Sequence, residues 1–277
     1  MKLISYLHKG QPGFGIVKGQ GIIALGAQSG EPSLKHVLDR VDTLKAYLNE
    51  PPTLRLEEVT YAPPIPNPDK IICVGLNYIK HMEETGRERP KRPMLFTRFA
   101  NTEVGHGQPM IRPRNSEQLD FEGELAVVIG RKARHVSEAD AVSHVAGYSC
   151  FNDGSIRDWQ THTPQFTPGK NFPGTGGFGP WLVTPDEVPG ILRTTLVTRL
   201  NGEEVQRTST DDLIFGIPAL IAYCSEFTEL VPGDVISTGT PSGVGAFRKP
   251  PLWMKPGDVV EVEIDGIGVL RNPIVAE

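Results

Sequence analysis

The chain has 277 residues but neither a long apolar run nor an N-terminal apolar segment of the signal-peptide type. A membrane-spanning helix needs roughly 18 or more consecutive apolar residues, and no stretch of the sequence approaches that length. The first residues, MKLISYLHKGQPGFGIVKG, are interrupted by charged residues and glycines, so they do not resemble an export signal. We therefore expect a soluble protein without membrane association, located in the cytoplasm.

Basic charge and cysteine are also scarce, and their scarcity excludes two further classes of site. The formal net charge is −5 and the Lys and Arg residues are scattered, whereas proteins that bind nucleic acid carry clustered positive charge. The three cysteines, Cys73, Cys150 and Cys224, lie in apolar segments without CxxC spacing. We expect buried reduced thiols, neither disulfides nor zinc ligands, and no nucleic-acid partner.

Proline and glycine, in contrast, are abundant. The 25 prolines and 30 glycines are spread along the chain and predict many short strands and turns with few helices. Residues 1–65 are interpreted as a small α/β domain, in which strand-like runs precede apolar residues at helical spacing between Leu34 and Leu48. The proline-rich segment 61–70 is interpreted as the linker into a main domain of residues 66–277.

The main domain consists mostly of short β-type runs, among them IICVG, MLFTRF, ELAVVIG and VAGYSCFND. Two helices are predicted between them. The first is SEADAVSHVA, with Ser137 as its N-cap, and the second is STDDLIFGIPALIAYCSEF, in which Pro218 is expected to introduce a kink. The predicted fold class is α+β and mainly β, with a rolled or barrel-like sheet.

The segment DFEGELAVVIG, residues 120–130, places Asp120, Glu122 and Glu124 on one face if it is a strand. Antiparallel sheets commonly keep one face in water, and this explanation needs no ligand. Like charges about 6–7 Å apart repel, however, and a cation that prefers oxygen ligands would relieve the repulsion. The stripe alone leaves both explanations open.

Other candidate residues are equally ambiguous when each is taken alone. Asp153 lies in an Asn-Asp-Gly turn sequence, which favours aspartate for backbone hydrogen bonds. Lys170 is either a solvated loop residue or a cation that reaches into a cleft. His81 and Glu84 are three residues apart on a short predicted helix, where they form either an exposed pair or a general base with its orienting carboxylate.

The glycine-rich segment STGTPSGVG, residues 237–245, resembles a phosphate-binding loop only superficially. It lacks the GK[ST] ending and the following helix, so nucleotide binding is not expected. The backbone N–H groups of such a loop can still hold a carboxylate.

Several motifs together resemble the fumarylacetoacetate hydrolase family. They are CVGLNYIKHMEE, SEQLDFEGELAVVIG, GYSCFNDGSIRDWQ, GKNFPGTGGFGPWLVT, STGTPSGVG and KPGDVVEVEIDGIGVLRNPI. They follow the family's order over about residues 70–274. The resemblance implies a mixed β-roll catalytic domain, a small-molecule 2-oxo acid as substrate, and commonly a homodimer.

The resemblance also implies roles for individual residues. Glu122, Glu124 and Asp153 match the family's metal ligands, and His81 with Glu84 matches its catalytic dyad on a lid. The remaining expected positions are the catalytic residues Lys170 and Gln160 and the substrate-binding residues Thr240, Tyr78, Arg98 and Arg157.

A few positions leave the shape of the substrate pocket open. Arg98 and Arg157 would either bind a second substrate carboxylate or form structural ion pairs. The chain departs from the family pattern at Pro173 and Gly174, where related enzymes often carry Asp-Thr. Gly154 replaces the more usual aliphatic residue after the metal-binding aspartate.

Three carboxylates supply hard oxygen ligands, which suit Mg²⁺ or Mn²⁺, with Ca²⁺ as an alternative. The expected reaction is hydrolysis of the C–C bond of an acylpyruvate through a metal-bound pyruvate enolate. His81 and Glu84 would activate water, and Lys170 or Gln160 would stabilise the oxyanion. The same chemistry would serve a decarboxylase, or an isomerase or hydratase, of 2-oxo dicarboxylic acids. A non-catalytic metal-binding protein is the alternative from another class.

Overall fold

The structure, a computed structural model, describes the backbone of residues 1–277 and all side chains except that of Ala27. In chain order the strands are β1 (Lys2–His8), β2 (Gln11–Lys18), β3 (Gly21–Ala24), β4 (Leu54–Arg55), β5 (Thr60–Tyr61), β6 (Ile71–Gly75), β7 (Met94–Arg98), β8 (Glu103–Val104), β9 (Met110–Arg112), β10 (Leu119–Asp120), β11 (Gly123–Ile129), β12 (Val145–Asn152), β13 (Ser155–Ile156), β14 (Gly176–Val183), β15 (Thr195–Leu200), β16 (Glu203–Ser209), β17 (Val235–Ser237), β18 (Val259–Ile264) and β19 (Gly268–Ala276). The α-helices are α1 (Gly26–Ser29), α2 (Ile79–Glu84), α3 (Glu138–Ala141), α4 (Arg157–Gln160), α5 (Thr167–Lys170) and α6 (Ile217–Phe227). The 3₁₀ helices span Leu34–Tyr47, Leu56–Glu58, Ala100–Thr102, Val142–His144, Pro185–Glu187, Ile191–Arg193, Thr210–Asp212 and Gly245–Phe247.

The strands form a 12-stranded mixed sheet, a five-stranded sheet and a short ladder between β10 and β13. The large sheet runs in the order β4-β3-β2-β1-β14-β12-β11-β17-β6-β7, with β5 beside β1 and β8 beside β14. The five-stranded sheet has the order β16-β15-β18-β19-β9. The predicted α+β, mainly β class is confirmed, because short strands outnumber and outweigh the helices.

The central strand β11 is buried on both faces. Leu125 and Val127 belong to the hydrophobic cluster that includes Leu220 of α6. Ala126 and Val128 belong to a second cluster, which includes Leu34 of the N-terminal region. Successive residues of a strand point to opposite faces, so this one strand connects the two halves of the core.

The N-terminal strands extend the large sheet. Leu3 of β1 pairs with Leu182 of β14 in antiparallel register. The segment predicted as a helix between Leu34 and Leu48 is a 3₁₀ helix, interrupted where Arg40 has non-helical dihedrals. The expected apolar face is present, since Leu34 and Leu44 are both buried. The division into domains of residues 1–65 and 66–277 stays a prediction.

The two helices predicted in the main domain are both shorter than expected. Ser137 caps α3 as predicted and accepts a hydrogen bond from the backbone N–H of Asp140 at 3.3 Å. The second helix begins at Ile217, after a separate 3₁₀ turn over Thr210–Asp212. Pro218 therefore lies in the first turn, where its missing N–H is not needed, and the predicted kink is wrong.

The expectation for the cysteines is confirmed: Cys73, Cys150 and Cys224 are buried and free. Of the described helices, none combines the length and the hydropathy that a membrane span requires.

The packing of α6 makes a direct prediction about stability. Leu220 is fully buried, so Leu220→Ala should lower the free energy of unfolding by about 2–5 kcal/mol, through lost contacts and the cavity left behind. The matched control is Leu192→Ala, the same chemical change at a side chain that is 49% exposed, which should cost less than about 0.5 kcal/mol. Urea denaturation measures both, and equal losses would contradict the assignment of α6 to the core.

Candidate metal centre and active site

Three carboxylates converge where β11 and β12 meet. One ligand oxygen each from Glu122, Glu124 and Asp153, hereafter the acidic trio, lies within 4.8 Å of the other two. The antiparallel register pairs Gly123 with Asn152, which places the residues just outside this pair side by side. The backbone N–H of Asp153 accordingly donates to the carbonyl oxygen of Glu122 at 2.9 Å. All members of the trio are buried, so the explanation of a solvated strand face is wrong.

Asp120 does not join the trio, because the predicted strand is interrupted at residues 121–122. Its carboxylate instead accepts hydrogen bonds from the backbone N–H groups of Gly245 at 2.7 Å and Ala246 at 2.9 Å. The Arg157 guanidinium adds a third contact, from Nε to Oδ2 at 2.8 Å. The predicted stripe of three acidic side chains on one face is thus corrected to two of them plus Asp153.

Buried cations surround the trio. Lys170 Nζ lies 2.6 Å from Glu122 Oε2 and 2.6 Å from Asp153 Oδ2. Arg157 Nη2 is 2.6 Å from Glu122 Oε1. Arg98 Nη1 is 2.6 Å from Asp153 Oδ1. Lys170 is only 1% exposed, so the prediction that it reaches into a cleft agrees with its position and the solvated-loop alternative is wrong.

The pKa values of the trio reflect how unevenly this positive charge is distributed. Burial by itself would raise the pKa of Glu122, but the charges of Arg157 and Lys170 outweigh it and lower the pKa to about 2. Burial raises the pKa of Glu124 well above its ordinary value, and the charges of Asp153 and Glu122 raise it further. Among the described side chains no ion pair reaches Glu124, although Ser237 Oγ donates to its Oε2 at 2.5 Å. Glu124 is therefore the member of the trio whose negative charge is not balanced by a cationic side chain.

The donor set of the trio fits a divalent cation. Carboxylate oxygens are the ligands that hard divalent ions prefer, whereas zinc sites usually contain His or Cys. A cation shared by the trio would also supply the positive charge that Glu124 lacks. Lys170 contacts Glu122 and Asp153, so it and a bound ion would share two carboxylates.

The trio opens onto a cavity of about 390 Å³, lined by Glu122 and Glu124. Other residues predicted for the site line the same cavity: His81, Arg157, Gln160, Lys170 and Thr240. Apolar side chains that include Phe96 and Phe166 complete part of the wall, with ring centroids 5.7 Å apart. The structure therefore places His81, Gln160 and Lys170 at the same cavity as Glu122 and Glu124.

The predicted dyad is formed within this wall. His81 Nδ1 lies 2.9 Å from Glu84 Oε2. His81 is only 6% exposed, whereas Glu84 is exposed, so the histidine of the pair does not lie on the helix surface. The second oxygen of Glu84 accepts a hydrogen bond from the backbone N–H of Gly243 at 3.0 Å. A carboxylate on Nδ1 favours the tautomer with the proton there, which leaves Nε2 as the basic nitrogen.

Two residues predicted to bind substrate are placed elsewhere. Arg98 is 2% exposed and also donates from Nε to Glu103 Oε1 at 2.6 Å, so it is a buried structural ion-pair partner of Asp153. Tyr78 is 1% exposed, and its hydroxyl lacks a hydrogen-bond partner within the described part of the chain. Burial raises its pKa. Neither side chain is among those that line the cavity, and both predictions are corrected.

Three further predicted site residues line the cavity and also form hydrogen bonds with other protein groups: Arg157, Gln160 and Thr240. Arg157 Nη1 donates to Gln160 Oε1 at 2.8 Å, which leaves the Gln160 amide N–H groups for an acceptor. Thr240 Oγ1 donates to the carbonyl oxygen of Gly123 at 3.1 Å and accepts from Gln206 Nε2 at 2.9 Å. Arg157 is committed to Asp120 and Glu122, so it is a structural ion-pair partner as well as a wall residue.

Residues 237–246, hereafter the glycine loop, hold several carboxylates of the site through backbone N–H groups. The Gly243 N–H of this loop donates to Glu84, as described above. The Gly239 N–H donates to Glu124 Oε2 at 2.9 Å. Its Gly245 and Ala246 N–H groups hold Asp120. The expectation that this loop can bind a carboxylate is thus met by three carboxylates of the protein itself. The density of glycines was the signal in the sequence, but it did not identify the partners.

Comparisons with known proteins identify the family of the chain. The profile of the fumarylacetoacetate (FAA) hydrolase C-terminal domain matches residues 70–275. The mitochondrial oxaloacetate tautomerase FAHD2A of Homo sapiens is 44% identical over 226 residues, which cover 81% of this chain and 72% of that protein. A fumarylacetoacetate hydrolase structure from Exiguobacterium antarcticum superposes with a TM-score of 0.86 at 34% identity, covering 100% of both chains. A maleylpyruvate hydrolase from Sphingobium sp. SYK-6, in complex with manganese(II) ion and pyruvate, gives a TM-score of 0.83 at 27% identity and covers 100% of this chain and 99% of that chain.

The acidic trio makes a prediction about metal binding. Glu124→Gln keeps the size of the side chain and its acceptor for Ser237 and Gly239, but it removes one negative charge from the donor set. The dissociation constant for Mg²⁺ or Mn²⁺, measured by calorimetry, should rise by at least about tenfold, because ligand charge tunes affinity for these ions. Glu117→Gln on the exposed surface is the matched control and should leave the constant unchanged. Equal affinity of both variants would remove Glu124 from the metal site.

Proposed function

Because the chain belongs to the fumarylacetoacetate hydrolase family, we propose that it is a divalent-metal-dependent enzyme that interconverts the keto and enol forms of a 2-oxo acid. One observation supports this proposal above the others. His81 of the dyad and Glu122 and Glu124 of the buried acidic trio line the same cavity, which supports a proton-transfer group and a cation site that act on one substrate. Such a combination is typical of proton abstraction next to a carbonyl group.

The metal would be held by Glu122, Glu124 and Asp153, and we propose Mg²⁺ or Mn²⁺. When bound there, a divalent ion supplies Lewis acidity toward the carboxylate and 2-oxo oxygens of the substrate. Mn²⁺ and pyruvate are both present in the maleylpyruvate hydrolase structure named above, which supports this choice for the present chain.

The proton transfer is assigned to His81. Its Nε2 removes a proton from C3 of the substrate, the electron pair of the C–H bond forms the C2–C3 double bond, and negative charge moves to the 2-oxo oxygen. The protonated imidazole then returns the proton to that oxygen, so the reaction is a balanced shift of one proton. Glu84 holds the imidazole by Nδ1 and stabilises its charged form at 2.9 Å. General acid–base catalysis of this kind contributes about 10²–10⁴-fold.

Aromatic and cationic side chains surround the site of this proposed chemistry. Phe96 and Phe166 line the cavity, and Lys170 Nζ lies 4.9 Å from the centroid of the Phe96 ring. Burial would lower the pKa of Lys170, but the charges of Asp153 and Glu122 outweigh it and raise the pKa. A protonated Lys170 would contribute positive charge where negative charge develops on the substrate.

Oxaloacetate is the first substrate to test, because the human relative at 44% identity is named an oxaloacetate tautomerase. Assembly as a homodimer and a cytoplasmic location stay predictions, and that relative is mitochondrial by name.

Hydrolysis of an acylpyruvate is the second candidate, and the orientation of Gln160 favours it. Arg157 occupies Gln160 Oε1, so the amide N–H groups can donate to an oxyanion. In that reaction His81 would take a proton from water, the resulting hydroxide would add to the distal carbonyl carbon, and the C–C bond would break. The electron pair would remain on the pyruvate fragment, which would take the proton back from His81, and the acyl fragment would leave as a carboxylic acid.

A substrate panel distinguishes these candidates. Enol–keto conversion of oxaloacetate is followed by ultraviolet absorbance, while pyruvate and CO₂ are assayed separately with oxaloacetate and with acylpyruvates. We expect the catalysed rate of keto–enol interconversion to exceed the rates of CO₂ release and pyruvate release from either kind of substrate. A higher kcat/KM for pyruvate release from an acylpyruvate would replace the proposal by the second candidate, and dominant CO₂ release would indicate a decarboxylase.

The assignment of His81 predicts a specific split between catalysis and metal binding. His81→Ala should lower kcat for the best substrate by about 10²–10⁴-fold, because it removes the proton-transfer group. The dissociation constant for Mn²⁺ should stay unchanged, since the trio supplies the ligands. His36→Ala, on the exposed surface, is the control and should retain full activity. A wild-type kcat in His81→Ala would exclude the general-base role of His81.

The contact between Gly243 and Glu84 predicts a second variant that affects catalysis without touching the metal. Gly243 has φ of +98°, and a Cβ there would lie 2.4 Å from the carbonyl oxygen of Val205, so Gly243→Ala must displace the N–H that holds Glu84. A hydrogen bond to a charged group contributes about 1.5–3 kcal/mol, so kcat should fall by about 10- to 100-fold.

The control for this variant is Gly202→Ala. Gly202 also has a positive φ of +85°, but no atom lies within 4 Å of the added Cβ. Gly202→Ala therefore introduces the same kind of backbone strain as Gly243→Ala, but it does not displace the N–H group that holds Glu84. Similar losses of kcat in both variants would show that strain alone is responsible, and the positioning role of Gly243 would be abandoned.

A further inference from the structure

Resting on the proposed function, we propose that Arg87 binds a second carboxylate of the substrate, so that the enzyme selects 2-oxo dicarboxylic acids over 2-oxo monocarboxylic acids. The sequence had suggested Arg98 or Arg157 for this role. The structure commits both of those arginines to buried carboxylates, whereas Arg87 lines the cavity.

The backbone of Arg87 is fixed to the helix that carries the dyad. Helix α2 ends in a left-handed turn at Gly86, which has φ of +67°. The Gly86 N–H donates to the carbonyl oxygen of Glu83 at 3.0 Å, and the Arg87 N–H donates to that of Met82 at 3.3 Å. This pair of hydrogen bonds is the Schellman motif, which reverses the chain direction at a helix end. Arg87 is thereby held on the same wall as His81.

The other cations of the cavity already have partners. Arg157 pairs with Asp120 and Glu122, and Lys170 pairs with Glu122 and Asp153. His81 pairs with Glu84. For Arg87, in contrast, the described side chains provide no ion pair. Its exposed guanidinium is therefore the cation of this cavity that is available to an incoming anion, and a guanidinium can bind a carboxylate through two parallel hydrogen bonds.

The apolar part of the cavity fits the carbon chain that would join the two ends of such a substrate. Val74, Leu76, Phe96 and Phe166 line the cavity, and they offer no charge to a terminal methyl or carboxylate. The charge that distinguishes these two terminal groups comes from Arg87. Because Arg87 is exposed, the preference should weaken as ionic strength rises.

Calorimetry on the full-length, Mg²⁺-loaded protein tests the assignment with two ligands of equal chain length. They are 2-oxoglutarate and 2-oxopentanoate, which differ in a terminal carboxylate against a terminal methyl group. The wild-type protein should bind 2-oxoglutarate more tightly. Arg87→Ala should reduce this preference by about 10- to 100-fold, as expected for a charge-assisted hydrogen bond, and should leave 2-oxopentanoate binding unchanged. Arg87→Lys should retain part of the preference, since it keeps the charge but loses the bidentate geometry.

The matched control is Arg89→Ala. Arg89 is an exposed arginine two residues further along, outside the cavity wall, and its removal should leave the preference at the wild-type value. An equal loss in Arg87→Ala and Arg89→Ala would indicate general attraction by the segment and would overturn the proposal. Equal weakening of both ligands in Arg87→Ala, or the absence of a preference in the wild type, would overturn it as well.

Binding and turnover separate this inference from the proposed function. If Arg87 controls the preference but no 2-oxo acid is converted, the proposed reaction fails and the role of Arg87 stands. If oxaloacetate is converted and Arg87→Ala leaves the preference intact, the reaction stands and the role of Arg87 fails.

Discussion

Mutual repulsion among three buried carboxylates is the constraint on which the site depends. Glu122, Glu124 and Asp153 lie within hydrogen-bonding reach of a common point in a region that excludes most water, where like charges interact strongly. Cations that approach two of them to 2.6 Å relieve part of this repulsion. Glu124 keeps a raised pKa because burial and its acidic neighbours act together. A shared divalent ion is the arrangement that satisfies all three carboxylates at once.

The glycine loop joins this acidic centre to the proton-transfer group. Its backbone N–H groups hold Glu124 of the trio, Glu84 of the dyad, and Asp120, which in turn holds Arg157. Backbone donors have no side-chain freedom, so the distance between the two halves of the site is set by the loop conformation. At several of its positions a side chain would force the surrounding backbone or side chains to shift; at Gly239, for example, a Cβ would lie 2.8 Å from Asn77 Cβ. The loop therefore connects the proposed metal ligands to the proposed catalytic dyad through backbone hydrogen bonds.

The sequence predicted those parts of the site that depend on local pattern and on family motifs. The convergence of Glu124 and Asp153 follows from two neighbouring strands, and the His81–Glu84 pair follows from helical spacing. The strand break that removes Asp120 from the trio depends on contacts with residues 245–246, far away in sequence. The burial of Arg98 likewise depends on Glu103 and Asp153, which residue type does not reveal. The sequence also did not indicate that Arg87 is available to an incoming anion, because this follows from the ion pairs that the other cations of the cavity form.

The most direct measurement for the central claim is the anomalous diffraction of a crystal grown with Mn²⁺ and oxalate, a mimic of pyruvate enolate. The account predicts a peak about 2.0–2.6 Å from carboxylate oxygens of Glu122, Glu124 and Asp153, with oxalate beside it in the cavity that His81 lines. A crystal without a peak at that position, in which Lys170, Arg157 and Arg98 remain the partners of Glu122 and Asp153, would contradict it.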